Sequence, residues 1–253
     1  MRNSIAVFRH RGAKMVGVLS RPQGPKGRRF PAVLLLHGFP GSEKNVDVQR
    51  ALMGRGIAGF APHSSGTWGS GGLYRFSTLV DQARAGLRVL ARQPWVDARR
   101  MAVFGASMGG WTAIHLGRRV PALRAVVAVS PVGGPEMVTP EAFDFIERNG
   151  PTLRVASLAA LRRDFVKTVR AGDPARSAAR MKPPLLLIHG TADDIVPFSV
   201  SERIHAAAPG KSRLVTAPGA DHGFLDRRPW LVGRVVRCLA RRLMPAASPR
   251  GAA

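Results

Sequence analysis

Gly105-Ala106-Ser107-Met108-Gly109 decides how this chain folds. The five residues follow the apolar run Arg100-Met-Ala-Val-Phe104 and precede a stretch of helical character from Gly110, so they predict a sharp turn between a strand and a helix. Such a turn needs glycine two residues before and two residues after the serine, because a β-carbon there would clash as the backbone doubles back. The turn predicts an exposed Ser107 hydroxyl, a candidate nucleophile. Since the chain has 28 glycines, a glycine-rich turn with an unused serine is the alternative.

Short apolar runs alternate with longer segments of helical periodicity along most of the chain, which is typical of βαβ units. Runs such as 32–36 and 185–188 are apolar throughout, as expected of central strands covered by helices on both faces. The sequence therefore predicts an α/β fold with a mainly parallel central sheet and helices on both faces. Predicted strands lie near 15–20, 31–37, 57–62, 101–106, 125–130, 185–189 and 212–217. Predicted helices lie near 46–55, 77–92, 109–119, 199–208 and 228–243.

One long segment interrupts this alternation. About 50 residues separate Ser130 from Leu185, and their pattern predicts short helices near 140–148, 157–171 and 174–180. Long excursions from the carboxyl edge of a sheet are usually functional. We therefore predict one α/β domain over 1–253 with a small helical lid at 133–182; a peripheral helical decoration is the alternative. The apolar residues of this segment indicate either an apolar acyl or aryl pocket or the segment's own core: Met137, Phe143, Phe145, Leu153, Leu158, Leu161 and Phe165.

Length and composition limit the class of protein. With 253 residues, of which 45% are hydrophobic, the chain can bury a large core. The N-terminus lacks the apolar core of a signal peptide, and no run approaches the roughly 20 apolar residues of a membrane span, so we expect a soluble, cytoplasmic protein. The single cysteine, Cys238, excludes an intrachain disulfide.

The formal charge of +24, from 39 basic and 15 acidic side chains, raises the question of nucleic-acid binding. The arginines are scattered along almost every segment, without a basic tail, zinc-ligand spacing or an aromatic-studded basic strand. We therefore expect no specific nucleic-acid partner. The chain should still adsorb to polyanions at low salt.

A nucleophilic serine needs a histidine that takes its proton and an acid that orients the histidine. If the acid and the base follow Ser107 in the order Ser, Asp, His, the candidate bases are His189, His205 and His222. His205 lies in a predicted helix, and His189 ends a predicted strand. His222 stands in a turn-rich loop after the last predicted strand, where a base can reach the nucleophile, so His222 is the predicted base.

The acid is expected at the exit of the preceding strand, where Asp193 and Asp194 compete. The tight turn at 190–192 places Asp193, which we predict as the orienting acid. Asp194 then points away, to cap the next helix or to face solvent. Asp221 is too close in sequence to His222 to orient it easily, and we expect it to stabilise the loop.

Acyl chemistry also needs two hydrogen-bond donors for the developing oxyanion. The Met108 N–H, directly after the serine and at the start of a helix, is the first predicted donor. The Phe39 N–H, in the loop 36–41, is the second, because Gly38 lets the backbone bend toward the site. His37 lies at the start of this loop, before both the strand exit and the serine, and we expect a structural role for it.

The glycine-rich stretch 64–72 matches neither a phosphate-binding loop nor a dinucleotide fingerprint. We interpret it as a loop at the rim of the site and name Trp68, with Phe143 and Phe145, as candidate walls of the substrate pocket; for Trp68 a purely structural loop is equally compatible. The dispersed histidines predict no metal site, and no cofactor is expected.

Four motifs in order carry a family resemblance: His37-Gly-Phe-Pro-Gly-Ser42, Gly105-Ala-Ser-Met-Gly-Gly110, His189-Gly-Thr-Ala-Asp-Asp194 and Asp221-His-Gly223. With them the chain resembles an α/β-hydrolase of the prolyl oligopeptidase and dienelactone hydrolase branch over about 15–243. The resemblance implies Ser107 as nucleophile, Asp193 as acid and His222 as base.

Two departures from the peptidases of that branch bear on substrate. The chain has no room for their β-propeller, and its only tyrosine, Tyr74, lies outside the loop that would supply an oxyanion donor. A backbone donor at Phe39 is more similar to small carboxylesterases. We therefore expect a serine esterase that acts on a small-molecule ester. A serine aminopeptidase or acyl-peptide hydrolase is the first alternative, and a polyanion-binding protein with an inactive hydrolase fold is the second.

Overall fold

An eight-stranded sheet forms the centre of the fold in a computed structural model that describes residues 2–244. The strands are β1 (Arg2–His10), β2 (Ala13–Arg21), β3 (Phe30–Leu36), β4 (Ala58–Pro62), β5 (Val96–Ala106), β6 (Val126–Val129), β7 (Leu185–Gly190) and β8 (Ser212–Ala217). They lie in the order β1-β2-β4-β3-β5-β6-β7-β8. The strands from β3 to β8 run parallel to one another. β2 runs antiparallel to both of its neighbours, β1 and β4. The mainly parallel sheet predicted from the sequence is confirmed.

Helices cover both faces of the sheet. They are α1 (Val46–Gly54), α2 (Leu79–Ala91), α3 (Met108–Arg119), α4 (Pro140–Asn149), α5 (Leu158–Ala171), α6 (Pro174–Ala179), α7 (Phe198–Ala206) and α8 (Arg228–Leu243). Alternate residues of β3 enter opposite cores: Leu34 packs with α2 and α3, and Leu35 packs with α1 and α8. This two-sided burial explains why the central strands are apolar throughout. None of the helices over 2–244 combines the length and the apolar character needed to cross a bilayer.

The first strand is the main element that sequence analysis missed. β1 pairs with β2 through a hairpin in which Arg11 and Gly12 both have positive φ, 48° and 79°. β1 is the outermost strand, and its Ile5 and Val7 side chains are 76% and 59% exposed. An edge strand with exposed apolar residues lacks the contrast between faces that reveals a strand in a sequence. The strand predicted near 15–20 is β2, and β1 was not predicted.

The serine turn lies between β5 and α3, and its backbone is forced into an unusual conformation. Ser107 has φ 55° and ψ −123°, a region that non-glycine residues rarely occupy. A β-carbon on Gly105 would lie 2.1 Å from the Gly109 carbonyl oxygen, and one on Gly109 would lie 2.2 Å from the Leu36 carbonyl oxygen. Both glycines are therefore required by close backbone approach, and Gly109 brings the start of α3 against the end of β3.

The segment between β6 and β7 contains α4, α5 and α6, close to their predicted bounds. Side-chain oxygens cap each of these helices: Thr139 accepts from the Ala142 N–H, Ser157 from the Ala160 N–H and Asp173 from the Ala175 N–H. Two bonds from α3 hold the far end of this segment, one to Gly172 at the end of α5 and one to Ser177 in α6. The Trp111 indole N–H donates to the Gly172 carbonyl at 2.9 Å, and His115 Nδ1 lies 2.8 Å from Ser177 Oγ. The helix that follows the serine thus fixes the base of the inserted segment.

A substitution at Gly109 tests the close approach of the turn to β3. Gly109→Ala places a methyl group against backbone that cannot move aside, so we expect a loss of more than about 4 kcal/mol in the free energy of unfolding or failure to fold. Gly233→Ala in α8 is the matched control, because nothing lies within 4 Å of a β-carbon there; it should be neutral or stabilising by about 0.5–1 kcal/mol. Urea unfolding measures both. A Gly109→Ala protein as stable as the parent would contradict this account.

Candidate active site

Three sequence-predicted side chains come together at the carboxyl edge of the parallel strands. Ser107 follows β5, Asp193 follows β7 and His222 follows β8. His222 Nδ1 lies 2.8 Å from Asp193 Oδ2 and 2.9 Å from Asp193 Oδ1. Because parallel strands end at the same edge of a sheet, residues far apart in the chain share one site.

The Asp193 carboxylate is buried and surrounded by donors. Its side chain has no exposed surface, and Oδ1 accepts from the Ile195 N–H at 3.1 Å and the Val196 N–H at 2.8 Å. Burial by itself would raise the pKa of Asp193, but hydrogen bonds from His189 and His222 outweigh burial and hold that pKa well below its ordinary value. The acid therefore stays ionised at neutral pH and can orient His222.

The tautomer of His222 follows from this contact. A carboxylate only accepts, so Nδ1 carries the proton and the Nε2 lone pair of the neutral ring is free to take one. The His222 side chain is 17% exposed. The hydrogen bonds described for residues 2–244 do not include one between Ser107 and His222.

The loop after β3 lies directly against the serine. A β-carbon on Gly38 would be 3.0 Å from Ser107 Cβ and 3.6 Å from Ser107 Oγ, so a side chain there would crowd the serine. The Phe39 N–H follows this contact, and the Met108 N–H opens α3. Within 2–244, neither N–H donates to a backbone carbonyl in the turns and loops. Two unengaged donors therefore flank the serine.

His37 joins this loop to the glycine-rich loop at 64–72. Its Nδ1–H donates to the Gly38 carbonyl at 2.7 Å, and its Nε2 accepts from the Ser64 N–H at 3.1 Å. Burial lowers the pKa of His37 to about 4, so the ring stays neutral and keeps this tautomer at neutral pH. The contacts are those of the structural residue that the sequence predicts.

A cavity of about 650 Å³ opens above the serine, within the range of small-molecule sites. Ser107 and Asp193 lie in its wall, and aromatic rings form its apolar side. The ring centroids of Phe39 and Phe76 are 5.2 Å apart, and those of Phe39 and Phe145 are 6.0 Å apart. Phe76 was not predicted from the sequence, because it follows the glycine-rich loop and belongs to no recognisable motif. The other lining residues include Met137, Ile146, Phe165, Val196, Glu141 and Arg148.

Two of the three predicted pocket walls lie elsewhere, and that part of the prediction was wrong. Phe145 lines the cavity, but Phe143 lies under the Arg162 guanidinium, 4.4 Å from its ring centroid. Residues two apart on a helix project about 200° apart, so α4 can turn only one of the two rings inward. Trp68 is 51% exposed, with the Lys44 ammonium 4.0 Å from its ring centroid, and it does not line the cavity.

Asp194, next to Asp193, and Asp221, next to His222, have different roles. Of the two expectations for Asp194, capping α7 is wrong, since α7 begins after Pro197. Asp194 is exposed, as the other expectation has it, and it lines the cavity. Asp221 accepts from the Leu225 N–H at 3.0 Å and so stabilises the loop that carries His222.

No group of three or more His, Cys, Asp or Glu side chains within 2–244 is placed to hold a metal ion. The cavity wall likewise contains no cluster of this kind.

Comparison with known proteins identifies the family. Residues 45–231 match the model of the Prolyl oligopeptidase family. The chain belongs to this family. It is similar to the uncharacterized protein Rv2307c of Mycobacterium tuberculosis, with 31% identity over 86% of this chain and 71% of the relative. It is also similar to Esterase YjfP of Escherichia coli, with 29% identity over 79% of this chain and 86% of the relative.

Solved structures agree on the fold. Est1E from Butyrivibrio proteoclasticus, determined with ferulic acid bound, superposes with a TM-score of 0.76 and 18% identity over 95% of this chain and 100% of that protein. The fold of this member of the prolyl oligopeptidase family is thus the α/β-hydrolase fold, as the four motifs predicted.

Proposed function

We propose that this protein is a serine hydrolase that cleaves small carboxylic esters through an acyl-enzyme. The observation that carries the proposal is the buried, ionised Asp193 holding His222 in the tautomer of a base, at the sheet edge where the strained turn presents Ser107. The similarity to Esterase YjfP supports ester cleavage.

In the proposed reaction, Ser107 Oγ attacks the ester carbonyl while His222 Nε2 takes its proton. Asp193 stabilises the resulting imidazolium, and the N–H groups of Phe39 and Met108 donate to the oxyanion. His222 then gives the proton to the departing alcohol oxygen, which leaves the acyl group on Ser107. A water molecule attacks this ester with His222 again as base, and the acid is released.

The cavity supports an apolar acyl or aryl group as the part of the substrate that is recognised. Phe39, Phe76, Phe145 and Phe165 offer ring faces and edges against which an aromatic substrate can pack. The segment 133–182 supplies Phe145 and Phe165, and we assign it the role of a lid.

Tyr74 is buried beside Phe39, with ring centroids 5.7 Å apart, and burial raises its pKa far above the ordinary value. A phenol held in this way does not support the tyrosine-assisted oxyanion site of peptidases.

Removal of the nucleophile tests the proposal. Ser107→Ala should lower turnover of a short p-nitrophenyl ester by about 10⁴- to 10⁶-fold, because the covalent route is lost. A fluorophosphonate probe should label the parent protein and not the variant. Ser199→Ala, at an exposed position on α7, is the matched control and should keep full activity. Labelling or fast turnover by Ser107→Ala would show that another residue is the nucleophile.

A serine peptidase is the alternative that the family name favours. Aminoacyl anilides and aryl or alkyl esters should be compared at the same enzyme concentration. The proposal requires much higher kcat/KM for the esters. Efficient anilide cleavage that Ser107→Ala abolishes would instead assign peptidase activity to the same residues.

The two phenylalanines of α4 provide a paired test of the pocket. Phe145→Ala should lower kcat/KM for an aryl ester by about 10- to 100-fold, since a buried phenylalanine contact contributes about 1.5–3 kcal/mol. Phe143→Ala removes a ring outside the cavity and should leave kcat/KM close to the parent value. Equal effects of the two substitutions would exclude this placement of the aryl group.

A further inference from the structure

His189 is a buried titratable residue that the proposed reaction does not use. It lies in β7 with no exposed surface. Its Nε2 is 3.1 Å from Asp193 Oδ2 and 2.9 Å from the Val196 carbonyl oxygen, and its Nδ1 is 2.7 Å from Ser201 Oγ. Ser201, on α7, is also fully buried. The ring therefore bridges the acid of the site and a helix behind it.

The partners of the ring determine its protonation pattern. Both neighbours of Nε2, a carboxylate and a carbonyl, only accept, so Nε2 carries a proton. The Ser201 hydroxyl can then donate to Nδ1 of the neutral ring. Without that hydroxyl, the neutral ring could place its single proton on Nδ1, and Nε2 would face two oxygen lone pairs without a donor. Ser201 thus selects the tautomer that His189 needs.

These contacts fix the acid on the side away from the base. Asp193 Oδ1 accepts from the N–H groups of Ile195 and Val196, while Oδ2 lies 3.1 Å from His189 Nε2, whose N–H it shares with the Val196 carbonyl. Both carboxylate oxygens of Asp193 also lie within hydrogen-bond distance of His222 Nδ1. A carboxylate fixed in this way cannot turn away from His222 when the ring becomes charged.

We propose that His189 and Ser201 are positioning residues, which hold Asp193 in the orientation that His222 requires. The proposal rests on the proposed esterase function, since it assigns Asp193 the orienting role. His189 and Ser201 act through Asp193, and neither lines the cavity in which substrate would bind.

Ser201→Ala is the first test, with Ser199→Ala on the same helix as control. Loss of a hydrogen bond within a charged network lowers kcat by roughly 10- to 100-fold, and KM should stay unchanged because Ser201 is outside the cavity. kcat is expressed per site titrated with a fluorophosphonate, well below the melting temperature, so that loss of folded protein does not contribute. An unchanged kcat would overturn the proposal.

A double-mutant cycle separates positioning from a general structural role. In an Asp193→Ala background, Ser201→Ala should no longer change the rate of fluorophosphonate labelling, because the group that it positions is absent. A merely structural serine would reduce the rate equally in both backgrounds. His189→Gln, which keeps an N–H donor, should retain more activity than His189→Leu; equal losses would contradict the hydrogen-bond argument.

Failure of this inference is distinguishable from failure of the proposed function. If Ser107→Ala abolishes ester cleavage while Ser201→Ala leaves kcat at the parent value, only the positioning role is wrong. If Ser107→Ala retains turnover, the esterase mechanism itself is wrong.

A second concavity, independent of the first site, lies at the opposite edge of the sheet. It has a volume of about 510 Å³ and is bounded by the starts of β7 and β8 and by α8. Six of its lining residues are cationic: Lys211, Arg213, Arg234, Arg237, Arg241 and Arg242. Among the described residues that line it, none is acidic, and none of the six cations forms an ion pair within 2–244. We name this concavity the basic groove.

The arrangement of the cations favours an anionic occupant. Arg213 on β8 and Arg241 and Arg242 on α8 all lie close to Cys238, so like charges from two elements line the same concavity. Elsewhere arginines share carboxylates, as Arg11 and Arg119 share Asp81. Among the described residues of the basic groove, no carboxylate offsets the repulsion among the cationic side chains. A bound phosphate would do so, because a guanidinium group can donate two hydrogen bonds to phosphate oxygens at once.

The geometry points to a binding site for a small molecule that carries two or more phosphate groups. A volume of about 510 Å³ suits a ligand of nucleotide size. The site lies at the amino ends of the strands, away from Ser107 and Asp193, and so does not depend on the esterase proposal.

Cys238 provides a local reporter, since it is the only cysteine of the chain and lines the basic groove. At constant ionic strength, inorganic tripolyphosphate should slow alkylation of Cys238 by uncharged iodoacetamide. Arg213→Gln with Arg241→Gln should raise the concentration for half-protection about 100-fold, tenfold for each lost charged hydrogen bond. Arg84→Gln with Arg92→Gln, two exposed arginines at α2, removes equal charge and should change nothing.

Three outcomes would overturn the binding site. Equal protection by sodium chloride at the same ionic strength would show screening only. Equal weakening in the α2 control would show a response to net charge. Protection by duplex DNA without protection by tripolyphosphate would indicate a nucleic-acid surface in place of a small-molecule site.

Discussion

The contact between the serine turn and the end of β3 is the constraint on which the site depends. Gly109 rests against the Leu36 carbonyl so closely that no side chain fits. This contact places the start of α3, with its unengaged Met108 N–H, beside the loop that offers the Phe39 N–H. The positive φ of Ser107 is a local cost that the packing of β5, β6 and α3 holds in place. The Ser107 N–H, for example, donates to the Val129 carbonyl of β6 at 2.8 Å.

Burial of one charge organises the other half of the site. An isolated carboxylate without exposed surface would be strongly unfavourable, yet Asp193 is met by donors on every side that the structure describes. Two of them are backbone N–H groups of its own loop, and two are the rings of His189 and His222. The same donors that stabilise the charge also set its direction. Stability and orientation of the acid therefore have one physical origin.

The inserted segment gives the site its substrate-facing surface. α4 and α5 contribute Phe145 and Phe165 to the cavity, while Trp111 and His115 of α3 fix the far end of the insertion. Burial lowers the pKa of His115 to about 4, so this anchor stays neutral at neutral pH. Ser107 directly precedes α3, and α3 also holds the segment that lines the pocket. This shared contact limits the movement of the pocket relative to the nucleophile.

The sequence by itself determined what depends on local backbone chemistry and on order along the chain. The glycines around Ser107, the strand exits before Asp193 and His222, and the structural role of His37 all follow from short motifs whose order along the chain is informative. Only the tertiary structure decided which side chains face the cavity. Phe143 and Phe145 are alike in sequence, and the orientation of α4 within the inserted segment separates them. The contact of His189 with Ser201, and the meeting of arginines from β8 and α8, likewise require elements that pack side by side. These contacts join residues that are far apart in the sequence. They depend on how helices and strands pack, which local sequence patterns do not show.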